Sequence, residues 1–472
     1  MLETVHRRSF AEIMADLATT QDEALMSGVP RIPALILSIR HSRPDLRAVF
    51  PLTSTEGRQG LIDWFKFAGP REYGIDEPTL AAVLAESKGS YDPAVPVSDL
   101  RKLPLEPGAN LIGYAKAELG MGEQVRMSAM AIKESTPNFG VYNFAIGTPS
   151  RQQDGLVDGL MQTSHRYAAN IFHVNADQMM TAFTNLGAAC FGDHYNIGYW
   201  AWELSNCPDE WLPAIAVVDE IWAPSRFIQD AFSKSTKKPV VHMPLCVHPV
   251  IPRQYRKEEF GLDEKAFTFL FTFDSFSYYE RKNPCGLITA FRRAFRKGDE
   301  PVQLVIKTMN ANSQDVNWRK IESAIEGDPR IVALNRVMCR EDALGLISAC
   351  DCFVSLHRSE GFGFGPAQAM YHGRPAIVTG YSGNMDFCNA SNSALVNYSL
   401  IPVIEGQYPA ATGQQWADPD VDHAIWWMKR LASDSDLAAR MGKSGQAHIR
   451  THHSPKAIGD MFVGRLGKLG LI

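Results

Sequence analysis

The sequence predicts an α/β protein made of two successive doubly wound units that face one another, with a helical extension at the N-terminus. Three observations carry this. From residue 109 onward, short apolar runs alternate with helix-period segments, the pattern of parallel sheet covered by helices on both faces. The alternation pauses at the proline-punctuated stretch "LCVHPVIPRQYRKEEFG" and then restarts with a unit of similar size. A chain of 472 residues also exceeds what one hydrophobic core supports.

Taken in order, residues 1–105 read as the extension. "FAEIMADLATTQDEAL" and "TLAAVLAESKG" have helical apolar spacing and are separated by Pro/Arg-rich turns such as "RHSRPDLRAVFP". "DPAVPVSDLRKLPLEPG" follows as a linker. Residues 106–248 form the first unit. The strand "NLIGYA" leads into a helix at about 121–134, followed by strands in "GVYNFAI", "NIFHVN" and "YNIGYW". A helix after Pro208, the strand "DEIWAP", the helix "SRFIQDAF" and the strand "PVVHMP" complete it. Residues 249–450 form the second unit. Its strands are "FTFLFTF", "VQLVIKT", "IVALN", "DCFVSL" and "PAIVTG", with helices at about 284–296 and 315–326 and in "REDALGLISAC". Helices at about 421–431, 435–449 and 454–468 close the chain, and residues 451–472 are expected to pack back across the domains.

Composition narrows the function classes. Hydrophobic content of 45% and charged content of 21% are ordinary for a globular enzyme. A net charge of −5 without a run of five basic residues excludes nucleic acid as the expected partner. The eight cysteines are scattered, form no CxxC and offer only Cys350/Cys352 as a close pair. They read as reduced, mostly buried cytoplasmic thiols rather than a disulfide frame or a zinc site. "MLETVHRRSF" has no signal-peptide core, and no apolar stretch approaches the ~18 residues of a membrane span. The expected location is cytoplasmic, either free or attached at the inner face of the membrane.

The densest chemistry lies in "HRSEGFGFGPAQAMYHGRPAIVTG", residues 357–380. The loop follows the strand "DCFVSL", and ligands of open α/β sheets bind at the carboxyl ends of strands. Gly361, Gly363 and Gly365 allow positive φ and close backbone approach, and Pro366 suits the first helical position. The unpaired amides of that first turn, together with the helix dipole, make an anion site, with phosphate the obvious candidate. Glu360 followed after seven residues by Gln368 resembles the EX7E signature of retaining GT-B glycosyltransferases of family 4 (glycosyl transferases group 1). The resemblance continues through "EGFGFGPAQAMYHGRPAIVTGYSGNMD" and covers roughly residues 109–470.

That resemblance implies a GT-B fold and transfer of a hexose-type sugar from a GDP- or UDP-linked donor to a glycan, glycolipid or other hydroxyl acceptor, with retention. The implied setting is glycan or surface polysaccharide assembly. By position, Glu360 would meet the donor sugar, and Gly361, Phe362, Gly363, Phe364 and Gly365 would surround the donor, with the Phe364 and Gly365 amides on the distal phosphate. Gln368 would take the ribose hydroxyls. It stands where the family has Glu, so the contact lacks charge-assisted strength. Asp386 stands at the family's later acidic position. Lys282 matches a lysine that neutralises the diphosphate, and Arg281 substitutes for an upstream arginine whose expected places hold Phe276 and Ser277.

The other site residues lie in the first unit. The turn Gly120-Met121-Gly122 resembles the family's first-domain glycine loop, facing donor phosphates or acceptor. His173, near a strand end, is either a core histidine or, by resemblance, a group touching the donor sugar at the cleft. Asn175, Asp177, Trp202 and Glu203 form the expected acceptor set, and Trp200 and Trp211 are either further platform rings or core. Arg226 reads as a helix-start residue after Ser225. The pairs Asp418/Asp420 and Asp434/Asp436 lie in polar segments away from any strand end and read as solvated. No metal-spaced cluster such as HExxH is present, so metal-independent transfer is expected, with Lys282, helix N-termini and amides supplying positive charge. Gln368 and the missing arginine also suit a catalytically degenerate scaffold or sugar-nucleotide sensor. A dehydrogenase fits less well, because the first glycine turn lacks GxGxxG.

Overall fold

The computed structural model describes residues 5–19, 30–73, 75, 77–87, 104–148, 150–298 and 300–472. Among these, two six-stranded parallel sheets form two lobes. The first sheet comprises β1 (Glu106–Gly113), β2 (Phe139–Asn143), β3 (Tyr167–His173), β4 (Tyr195–Tyr199), β5 (Glu220–Ala223) and β6 (Val240–His242), in the order β2-β1-β3-β4-β5-β6. The second comprises β7 (Phe267–Asp274), β8 (Val302–Met309), β9 (Ile331–Asn335), β10 (Cys352–Ser355), β11 (Ala376–Thr379) and β12 (Ala394–Val396), in the order β12-β11-β10-β7-β8-β9.

Helices cover both faces of each sheet, so the central strands are buried along nearly their whole length, β3 completely. One polar line runs through the first sheet. Asn110, Asn170 and Asn196 stand side by side on β1, β3 and β4, each fully buried. Asn110 donates to Asn170 (2.8 Å), Asn170 to Asn196 (2.9 Å), and Asn196 to the Phe191 carbonyl (2.9 Å). Each amide is satisfied by the next, which is what allows three polar groups in an apolar layer.

The strand order of each sheet reverses once. In the second sheet the reversal lies between β7 and β10, and in the first between β1 and β3. Crevices outside such switch points are where open α/β sheets take ligands. The loops after β7, β10, β1 and β3 carry Arg281/Lys282, the GFGFG segment, Gly120 and Asn175 respectively.

The N-terminal extension is helical, as expected, but richer than its sequence suggested. "RHSRPDLRAVFP", expected as a turn, contains the end of helix Ala34–Ser42 and the whole of helix Pro44–Val49. Pro44 explains both: it stops the first helix and takes the first position of the second. A further helix, Thr55–Phe67, starts at Ser54, whose Oγ accepts from the Gly57 amide (3.0 Å). The expected continuation of the first helix to Leu25 and most of the proline-punctuated linker lie outside the described residues. The linker's last residues, Glu106–Gly108, belong to β1. Phe10, Ile13 and Leu17 join the core formed with Phe183, Phe191 and Ile215, and Arg8 pairs with Asp219, so the extension caps the first lobe.

After Pro208 the expected helix is a 3-10 turn, Asp209–Trp211, followed by a single short helix, Leu212–Ala216. Beyond β12 a hairpin not foreseen from the sequence, β13 (Tyr398–Pro402) and β14 (Gln415–Pro419), sends its loop across to the first lobe. Asp418 therefore lies inside a strand, 3.4 Å from Arg358, rather than away from strands. Asp420 and Asp434 cap the helices Val421–Ser433 and Ser435–His452. The final helix, Pro455–Lys468, returns to the first lobe. There Phe462 packs on Trp222 (ring centroids 4.9 Å), and Arg465 pairs with the fully buried Glu220.

Candidate active site

The loops at the two switch points enclose a cavity of about 520 Å³ between the lobes. From the second lobe it is lined by Arg281, Lys282, Glu360 and the segment Gly361–Pro366, with Thr272, Asp274 and Ser355 at the strand ends. From the first lobe come Leu119, Gly120, Met121, Gln124, Asn175 and Glu203.

Glu360 is the electrostatic centre. Its Oε1 accepts from Lys282 Nζ (2.5 Å) and its Oε2 from Arg281 Nη1 (3.2 Å), while Arg281 Nη1 also donates to the Ser359 carbonyl (3.0 Å). Burial alone would raise the Glu360 carboxyl. The Lys282 ammonium and then the Arg281 guanidinium outweigh it and hold the group at about 2. Burial likewise pulls the Lys282 ammonium below its ordinary range, with Glu360 opposing. Glu360 is therefore a fixed carboxylate between two cations, in a cavity that Glu203 and Asp274 also line.

The local sequence explains the placement. Arg281 and Lys282 sit on one turn, Tyr279–Lys282, between two positive-φ residues, Tyr278 and Asn283. Asn283 ends that turn and caps the helix Pro284–Ala294. Its Oδ1 accepts from the Gly286 amide (3.2 Å) and its Nδ2 donates to the Leu356 carbonyl (2.9 Å), tying the cations to the end of β10. On the carboxylate side, the buried His357 bridges Ser355 Oγ (3.0 Å at Nδ1) and Asn384 Oδ1 (3.0 Å at Nε2). An amide oxygen only accepts, so Nε2 carries the proton and Nδ1 accepts from Ser355. Ser382 Oγ accepts from the Glu360 amide (2.8 Å), and the Gly383 amide donates to the Glu360 carbonyl (2.9 Å). A Cβ at Gly383 would lie 1.9 Å from the Gly361 carbonyl oxygen, so that contact requires glycine.

Of the three loop glycines expected to adopt positive φ, only Gly363 does (φ +99°). It caps the helix Phe364–Tyr371, which therefore begins two residues before Pro366. The ring at the third helical position costs nothing, because that amide has no intrahelical partner. The amides of Phe364 and Gly365 occupy the first two helical positions, and the start of the helix Gly120–Lys133 faces them across the cavity. Two helix N-termini thus add to the positive field of Arg281 and Lys282.

Several expected residues lie elsewhere. His173 is fully buried, outside the cavity lining, with neither ring nitrogen hydrogen-bonded. Its ring contacts Tyr199 at 5.2 Å, and burial pulls it down to about 3. Gln368, half-buried, sits one turn inside its helix and does not line the cavity, nor does Gly122. Asp386 joins the lobes instead: its Oδ2 accepts from the Arg226 amide (2.8 Å) and lies 2.8 Å from His242 Nε2. Trp200 belongs to the core beside Phe232. Asp177, Trp202 and Trp211 line a neighbouring chamber, which shares Asn175 and Glu203 with the cavity. Ser225 Oγ donates to the Gly361 carbonyl (2.6 Å) and Arg340 pairs with Glu123 (2.8 Å), further closing the lobes. Among the described residues, no group of three or more His, Cys, Asp or Glu side chains is placed to hold a metal ion. No described helix is long and apolar enough to cross a membrane.

Residues 268–401, most of the second lobe, match the family described as Glycosyl transferases group 1. No curated protein matches the chain. Among solved structures, HepE from Anabaena, in complex with UDP and glucose, is similar over 77% of this chain and 100% of its own, at 15% identity and a TM-score of 0.56. Sucrose-phosphate synthase from Thermosynechococcus elongatus is similar over 77% and 98%, at 13% identity and a TM-score of 0.54. The lipopolysaccharide outer core galactosyltransferase WaaB is similar over 77% and 100%, at 14% identity and a TM-score of 0.51. The chain spans 55% of the length of TarM from S. aureus, at 12% identity and a TM-score of 0.47. The fold is GT-B. Two facing Rossmann-like domains, expected from the sequence, are shown by the two sheets and by these likenesses.

Proposed function

We propose that the protein is a retaining glycosyltransferase that moves a hexose-type sugar from a nucleoside-diphosphate sugar to an acceptor hydroxyl. The observation that carries this reading is the buried Glu360, held ionised between Lys282 and Arg281 in a cavity capped by the Phe364–Tyr371 helix N-terminus. In the reaction, the bond from the anomeric carbon to the phosphate oxygen breaks and a bond to the acceptor oxygen forms on the same face. The acceptor's proton goes to the departing phosphate oxygen, giving a glycoside and a nucleoside diphosphate. Negative charge grows on the diphosphate, where Lys282, Arg281 and the Phe364 and Gly365 amides stabilise it without a cation from solution. Positive charge grows on the sugar, beside the Glu360 carboxylate. Closure of the lobes limits competing hydrolysis.

The test is nucleoside diphosphate release from UDP-hexose and GDP-mannose donors, assayed in parallel. Glu360→Ala is expected to lower kcat by on the order of 10²-fold or more. Equal turnover by variant and wild type would reject the assigned site. Nucleotide binding without release from any donor would favour a sugar-nucleotide-binding protein.

A further inference from the structure

Beside the donor cavity lies a second chamber of about 400 Å³, which shares Asn175, Glu203, Ser277 and Arg281 with it. Its walls are aromatic: Trp202, Trp211, Tyr278 and Tyr408. Two of these rings have their polar atoms already satisfied, since Trp202 Nε1 donates to the Asn206 carbonyl (2.8 Å) and the Tyr408 hydroxyl donates to Glu203 (2.5 Å). What they offer a ligand is ring surface. Tyr278 differs from the others. It is 42% exposed, its backbone holds φ +64°, and its ring stands edge-on to Tyr408 at 4.8 Å. A bulky residue at positive φ is strained and persists where its surroundings enforce it.

This chamber is more acidic than the donor cavity, where Arg281 and Lys282 stand against Glu203, Asp274 and Glu360. Asp177, Glu203 and Glu210 line it against a single cation, Arg281, which already donates to Glu360 and the Ser359 carbonyl. Asp177 and Glu210 are solvent-exposed at the chamber's edge. A phosphate- or carboxylate-bearing molecule would meet like charge there. An uncharged polyol would instead donate its hydroxyls to the carboxylates and lay its C–H face on a ring, whose face carries the negative side of the quadrupole.

Resting on the transfer reading above, we propose that this chamber is the acceptor subsite, selective for an uncharged saccharide stacked on Tyr278 and selecting against anionic acceptors. Its position fits: it opens onto the donor cavity at Arg281 and Glu203, so an acceptor hydroxyl placed there faces the donor sugar beside Glu360.

The test uses the full chain with a donor it hydrolyses slowly, and pairs of acceptors that differ only by a phosphate or carboxylate group. The wild type is expected to use the neutral member at least about tenfold better in kcat/KM. Tyr278→Gly suits the positive φ and so keeps the backbone while removing the ring. It is expected to raise acceptor KM about tenfold, a larger change than in nucleotide affinity or acceptor-free donor hydrolysis. Tyr278→Phe keeps the ring face and should restore the acceptor KM. The double variant Asp177→Asn, Glu210→Gln is expected to narrow the gap between neutral and anionic acceptors. Equal use of both acceptor classes by the wild type, or an acceptor KM unmoved in Tyr278→Gly, would overturn the proposal while leaving the transfer reading intact. So would failure of every neutral oligosaccharide to bind the nucleotide-loaded protein. Absence of donor binding and hydrolysis in the wild type would overturn both.

Discussion

Glu360 illustrates what one residue contributes and what can be read of it in advance. Its spacing to the glycines, and Lys282 as a member of the same site, were legible because both lie in short motifs at strand ends; the ion pair between Glu360 and Lys282 was not. Nor were the parts that hold Glu360. His357 is a lone histidine in a loop, Ser382 lies 22 residues downstream, and the positive φ of Tyr278 leaves no mark in a tyrosine codon's product. The sequence leaves His173 open between core and cleft for a related reason: a strand-end position does not say what surrounds the side chain, which is fully buried. The ionised Glu360 has a thermodynamic signature. Its folded pKa of about 2 lies below the ordinary 4.5, so the unfolded chain binds its proton first as pH falls. The stabilisation is complete above about pH 4.5 and is lost progressively toward pH 2; for a group 8% exposed it is on the order of 3 kcal/mol. Glu360→Gln does not titrate there. The difference in urea unfolding free energy between wild type and variant should shrink from pH 5 to pH 2.5. Parallel curves would mean the ion pair contributes nothing.

Among the elements, the parallel strands were readable because burial on both faces makes them continuous apolar runs, and the helices because their periods and caps are conventional. The β13–β14 hairpin was not. Its strands are short and partly exposed, and no two-residue turn signal joins them. The Asn110–Asn170–Asn196 line was also invisible, since only sheet register brings three separate asparagines together. The hairpin's function follows from its contacts. Gln414 Nε2 donates to the Asn206 carbonyl (2.8 Å), and its Oε1 accepts from the Asn206 amide (3.2 Å) and Ser205 Oγ (3.3 Å). Tyr408 and Trp416 pack into the first lobe's core. The loop is thus a strap from the second lobe onto the first. Gln414→Ala should cost about 1–3 kcal/mol and expose residues 403–414 to proteolysis. Thermal unfolding and the cleavage rate report the two effects, and an unchanged cleavage rate would show that the strap is held by the aromatic packing alone.

At the scale of the whole molecule, the two lobes are joined where two chain crossings meet. The first crossing, after β6, and the second, between the helices ending at His452 and starting at Pro455, are hydrogen-bonded to each other at His453. The Val247 amide donates to the His453 carbonyl (2.8 Å), and His453 Nδ1 lies 2.9 Å from the Leu245 carbonyl. A carbonyl only accepts, so Nδ1 carries the proton, and the ring packs against Phe362 and Phe387 at 5.6 and 5.8 Å. The ring is 4% exposed, and burial pulls it down to about 4 from the ordinary 6.5. Here the unfolded state takes up the proton first as pH falls below 6.5, so stability is full above 6.5 and declines down to pH 4, by up to about 3 kcal/mol. Because Phe362 belongs to the loop lining the donor cavity, protonation strains the junction and the site together. His453→Asn retains a donor for the Leu245 carbonyl but has no proton to gain. Its urea unfolding free energy should fall less steeply than the wild type's between pH 6.5 and 4.5, and nucleotide affinity should follow the same order. Identical slopes would place the acid sensitivity of the molecule away from the crossing.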